Sequence, residues 1–90
     1  MLERQVKIVN QLGLHARAAA QLVRLASKFE SRILLKRADN TGFADAKSIL
    51  SVLTLAASKG TELYIEVEGA DETDALQAIE QIFKNGFGEL

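Results

Sequence analysis

The chain contains a single histidine, His15, and an arginine two residues further on, Arg17. A neutral imidazole keeps one unprotonated ring nitrogen that can act as a nucleophile near neutral pH. A guanidinium offers several donors in a planar fork that matches phosphate or carboxylate oxygens. Where the pair falls gives it meaning. A strand-like run through Val6 and Ile8 ends at the turn signals Asn10 and Gly13, and an alanine-rich helical pattern begins directly after His15. His15 thus sits at a loop-to-helix junction, where the first backbone N–H groups have no intrahelical partner and the helix dipole adds about half an elementary charge. An anion is stabilised at such a place, so a titratable nucleophile and an anion cradle coincide. The plainer alternative is a histidine near a helix start with an arginine on a solvated face. A metal centre is disfavoured, because the chain has no cysteine and no second histidine to complete a ligand set.

The elements that must hold this junction follow from periodicity. Arg4 to Val9 predicts a short strand with Val6 and Ile8 on one face. From Ala16 to about Phe29, the apolar positions Ala19, Leu22, Val23, Ala26 and Phe29 recur at steps of three and four, the pattern of an amphipathic helix. Arg32 to Arg37 predicts a strand, Ala38 to Gly42 a turn, and Phe43 to Asp45 a short return strand. Lys47 to Ala56 predicts a helix capped by Ser48 and stopped by Gly60 after a tail. Ile49, Val52, Leu53 and Leu55 cannot all face one core on so short a helix, so some apolar side chains are left at the surface. Glu62 to Glu68 alternates Leu63, Ile65 and Val67 with Tyr64 and acidic residues, a strand with one core face. Glu72 to about Lys84 predicts a last helix, with Asp71 as its cap and Gly86 as its end. Strand, helix, strand, strand, helix, strand, helix describes a two-layer, open-faced α+β sandwich with three helices on one face of the sheet. Periodicity leaves the strand order open, and a ferredoxin-like arrangement with an extra helix fits the same pattern.

Ninety residues make one domain spanning 1–90, too short for a second core. Eleven Lys and Arg against twelve Asp and Glu leave no field to attract nucleic acid or anionic lipid. No run reaches membrane-spanning length, and Met1-Leu2-Glu3-Arg4 lacks the apolar segment of a signal peptide, so the cytoplasm is expected.

Leu12-Gly13-Leu14-His15-Ala16-Arg17 with the alanine-rich helix resembles the active-site signature of the HPr family, the histidine-containing phosphocarrier proteins of the bacterial phosphoenolpyruvate-dependent phosphotransferase system. Ala46-Lys47-Ser48-Ile49-Leu50 resembles that family's second signature, and the likeness runs through essentially the whole chain. The resemblance implies a four-stranded antiparallel sheet. It implies a carrier, not a stand-alone enzyme, that uses no cofactor or metal and acts as a monomer. His15 would accept a phosphoryl group on Nδ1 from phosphorylated enzyme I and pass it to a downstream enzyme IIA-type acceptor, with Arg17 orienting the group. Ser48 matches the serine modified by an HPr kinase/phosphorylase in many members. An exposed apolar rim of Leu14, Ile49, Leu50 and Leu53 would dock donor and acceptor in turn.

One departure is Ala18, which stands where the family usually has proline. Proline would preset φ in the first helical turn, whereas alanine keeps the helix with a less rigid start. The tail Phe83-Lys84-Asn85-Gly86-Phe87 is similar to the nitrogen-related branch, which leaves a sugar or a nitrogen role open. A regulatory module of the same fold that is never phosphorylated is the nearest competitor, and the pairing of His15 with Arg17 argues against it. A ligand-sensing domain or autonomous enzyme has no second base, carboxylate dyad or glycine-rich phosphate loop in its favour.

Overall fold

A computed structural model describes residues 1–90, in the order β1 (Leu2–Lys7), α1 (Ala16–Ala26), β2 (Arg32–Arg37), β3 (Phe43–Asp45), α2 (Ile49–Thr54), β4 (Glu62–Glu68) and α3 (Glu72–Lys84), followed by a 3-10 turn (Gly86–Gly88). The four strands form one antiparallel sheet in the order β1-β4-β2-β3, which makes β1 an edge strand and resolves the order that periodicity leaves open. The three helices cover one face, giving the expected open-faced α+β sandwich.

β4, like β2, is an inner strand paired on both sides. Its Leu63, Ile65 and Val67 are fully buried, and so are Ile33 and Leu35 of β2 and Leu22 and Ile79 of the helices. Each such side chain removed from water contributes roughly 1.5–3 kcal/mol. Ala18 and Ala19 are also fully buried, so the first turn of α1 lies close against the layer beneath it. With alanine at position 18, the helix still starts at Ala16 as expected.

Several boundaries move for identifiable reasons. β1 begins and ends two residues earlier than the alternation suggests, because its register against β4 runs from Leu2↔Val67 to Lys7↔Glu62. Helix α1 stops at Ala26, short of Phe29, because Lys28 and Phe29 donate to Leu25 and Ala26 in tighter three-residue turns. Helix α2 is ended by Ala56, not Gly60: Ala56 takes a left-handed φ of 49° directly after the last turn. Asp71 stands at the start of α3 without capping it. Its carboxylate instead accepts hydrogen bonds from the backbone N–H of Glu30 and Ser31 and from the Ser31 hydroxyl, tying α3 to the start of β2. These bonds, led by the Ser31 hydroxyl, hold the Asp71 carboxyl below its ordinary range.

Candidate functional site

The loop from Ile8 to His15 is fixed from several sides. Gly13 adopts φ 65° and closes a turn by donating to the Asn10 carbonyl at 3.2 Å. A side chain here has no room, since a Cβ on Gly13 would lie 2.4 Å from the Ala57 carbonyl oxygen. The next residue, Leu14, donates its N–H to that same oxygen at 2.9 Å. The segment following α2 therefore clamps the residues that lead into the histidine.

His15 is the N-cap residue of α1, with an extended backbone, and its carbonyl accepts the first helical hydrogen bond from Ala19 N–H at 2.8 Å. The imidazole makes no capping bond to the helix backbone. Ala16, Arg17 and Ala18 supply N–H groups that helical geometry leaves without intrahelical acceptors, beside the histidine.

Sequence reasoning missed the partner of the ring. Glu89 Oε2 lies 2.6 Å from His15 Nε2, and the same oxygen accepts from Arg17 Nε at 3.3 Å and Nη2 at 3.2 Å. The other oxygen, Oε1, accepts from Asn10 Nδ2 at 2.9 Å. The Asn10 bond, then the His15 contact and the Arg17 donors, hold the Glu89 carboxyl below its ordinary range. His15, Arg17, Asn10 and Glu89 thus form one cluster. A lone glutamate near the end of a sequence carries no periodic signal. The available cue was the aromatic Phe87 between Gly86 and Gly88, a turn that brings the tail back onto the protein.

The other residues singled out in the sequence fall in different places. Leu14 is only 5% exposed and belongs to the core, so it cannot be part of an exposed rim; its backbone is held by Ala57 and its side chain turns inward with the loop. Ile49, Leu50 and Leu53 of α2 are 42%, 74% and 36% exposed, and Val52 and Leu55 supply the buried side of the same helix. Ser48 is the N-cap of α2, its hydroxyl accepting from Ser51 N–H at 3.3 Å. No group of three or more histidine, cysteine or acidic side chains is arranged to hold a metal ion, and no helix is long and apolar enough to cross a membrane.

Comparison with known proteins identifies relatives of this chain. Residues 2–85 match the family model described as the PTS HPr component phosphorylation site. A phosphocarrier protein HPr of Treponema pallidum is 47% identical over 99% of both chains, and one of Xylella fastidiosa is 45% identical over 99% of this chain and 98% of its own. The crystal structure of an HPr from Thermoanaerobacter tengcongensis superposes with a TM-score of 0.93 at 38% identity, covering 100% of this chain and 99% of that one. A dimer of HPr from the same organism superposes at 0.76. The chain belongs to the HPr family, the phosphocarrier proteins of the phosphotransferase system.

Proposed function

We propose that this chain carries a phosphoryl group on His15 Nδ1, taking it from phosphorylated enzyme I and passing it to an enzyme IIA-type acceptor. The observation that carries the reading is the placing of the ring. One nitrogen, Nε2, is engaged by Glu89, while the imidazole makes no bond to the helix backbone, so Nδ1 is left without a hydrogen-bond partner beside helix N–H groups that lack intrahelical acceptors. Those N–H groups and the positive end of α1 favour the phosphoryl oxygens. Arg17, whose side chain is well exposed, supplies further donors that can shift from Glu89 to the incoming group.

Moderate stabilisation suits a carrier. The phosphorylated histidine must persist between two encounters and still react at the second, which one arginine and one helix end allow. The site is complete within a single chain, so a monomer suffices. Ile49, Leu50 and Leu53 form the apolar surface on α2 that would dock the donor and acceptor in turn. Ser48, at the start of that helix, is where an HPr kinase/phosphorylase would act. The donor is charged from phosphoenolpyruvate, which makes the cytoplasm the working compartment.

The test is incubation with phosphoenolpyruvate and enzyme I, followed by intact mass. The mass of one phosphoryl group, lost in mild acid, is expected. An acid-stable adduct, or none, would refute the reading.

A further inference from the structure

Resting on the phosphoryl-carrier reading, we infer that Glu89 is a positioning residue for His15, whose carboxylate fixes the proton on Nε2, leaves the Nδ1 lone pair free, and balances the charge the ring gains on phosphorylation. An ionised carboxylate only accepts hydrogen bonds, so at 2.6 Å the shared proton must reside on His15 Nε2. The lowered pKa of Glu89 keeps that carboxylate ionised at neutral pH. A carboxylate behind an imidazole sets tautomer and ring orientation in this way in other chemistries.

Three features show that the contact is built into the fold. The first is Asn10, which is fully buried and gives both hydrogens of its amide away: one to the Gly13 carbonyl at 2.9 Å, one to Glu89 Oε1 at 2.9 Å. Flipping the amide would set its oxygen against two acceptors, so this orientation is chemically required. It leaves Asn10 Oδ1 buried without a partner, an unfavourable state that packing alone would have no reason to keep. The second is Phe87, buried and edge-on to Phe83 with ring centroids 5.1 Å apart at 72°. Phe87 holds a left-handed φ of 56°, rare for a bulky residue, between Gly86 at 59° and Gly88 at 75°. The third is the backbone bond from Glu89 N–H to the Gly86 carbonyl at 3.0 Å. The aromatic anchor and the strained turn aim Glu89 at the histidine.

The chemistry balances with no proton transfer. The Nδ1 lone pair attacks phosphorus, the Nδ1–P bond forms, and the bond to the donor breaks with its electron pair leaving on the donor. The ring, still carrying Nε2–H, becomes cationic, and Glu89 lies against that charge. Onward transfer returns the Nδ1–P electron pair to the ring and the charge vanishes. Arg17, paired to the same carboxylate oxygen, limits the repulsion that Glu89 would otherwise exert on the phosphoryl group.

The experiment compares the parent with Glu89→Ala and the isosteric Glu89→Gln, reading ring 15N spectra of the unphosphorylated proteins and initial rates of phosphorylation by enzyme I. In the parent, Nε2 should appear as a protonated nitrogen and Nδ1 as an unprotonated one. In Glu89→Ala the two signals should move toward the averaged values of free imidazole. Its maximal rate should fall about tenfold, the size expected from losing one charge-assisted hydrogen bond, with KM for enzyme I little changed. Glu89→Gln, whose oxygen is taken by the Asn10 donor and whose amide N–H then faces Nε2, should slow transfer at least as much as Glu89→Ala. Unchanged ring signals in a folded Glu89→Ala variant overturn the positioning role, and an unchanged maximal rate overturns the charge-balancing role. A parent that takes up no phosphoryl group overturns the carrier reading itself, a result the ring spectra leave distinguishable because they need no phosphorylation.

Discussion

Replacing Gly13 by alanine should destabilise the protein through the clamp on the histidine loop. The cost has two parts. Alanine at a φ of 65° pays roughly 1–2 kcal/mol for left-handed backbone. The new Cβ would lie 2.4 Å from the Ala57 oxygen and 2.8 Å from Ser58 Cα, both backbone atoms that cannot rotate away. Relief requires separating the loop from the segment after α2, which lengthens the 2.9 Å bond from Leu14 N–H to Ala57 and costs about 1 kcal/mol more. The sum is roughly 2–3 kcal/mol, a drop in Tm on the order of 10–25 °C for a domain of this size. Gly60→Ala provides the comparison. Gly60 has φ 91° and a Cβ added there would meet nothing within 4 Å, so only the conformational cost applies. Thermal unfolding followed by circular dichroism on parent and both variants separates the two contributions. Equal drops in Tm would show that the loop does not press against Ala57, and the clamp would no longer explain how His15 is held.

Arg17→Ala should slow transfer from enzyme I while changing stability by no more than about 0.5 kcal/mol, as its side chain is exposed; lysine should rescue only in part, and an undiminished rate would show that the helix N-terminus suffices. Leu14→Ala should cost about 2–4 kcal/mol in denaturant unfolding, whereas Leu50→Glu should leave the fold intact and weaken binding to enzyme I in a titration. Ser48→Ala should cost about 1 kcal/mol for the lost cap, and Ser48→Asp should keep the cap but slow transfer by charging the docking surface; a fast and stable aspartate variant would leave capping as the serine's whole role. Because Asp71 has a lower pKa folded than unfolded, its contribution is full above the ordinary carboxylate range near pH 4 and is lost as pH falls from there through its lowered folded value. Asp71→Asn should therefore narrow the difference in urea midpoint between neutral and acid pH, and an unchanged difference would contradict the assignment.

Much of the fold was legible in the sequence because it is written in local pattern. The strand Glu62–Glu68 alternates strictly because one face meets the core, and the helix Glu72–Lys84 is delimited by polar and glycine signals at its ends. The apolar excess of Ile49–Thr54 correctly implied surface apolar side chains. What escaped was set by tertiary contact. Leu14 looks like a rim residue from its neighbour His15, yet the clamp from Ala57 turns it inward. Asp71 looks like a cap, but its carboxylate found Glu30 and Ser31, distant in sequence and adjacent in space. Glu89 reaches His15 across most of the chain, and only the fold brings a tail glutamate to a histidine at the first helix.

The carrier reading stands or falls on His15 Nδ1 being the atom that bears the phosphoryl group. Protein labelled with 15N in its single histidine, charged by enzyme I and phosphoenolpyruvate, can be probed by NMR for coupling between phosphorus and each ring nitrogen. One-bond coupling to Nδ1 is expected, with the proton still on Nε2 and no phosphorylation of His15→Ala. Coupling to Nε2 instead, or a phosphoryl group that persists in His15→Ala, would contradict it.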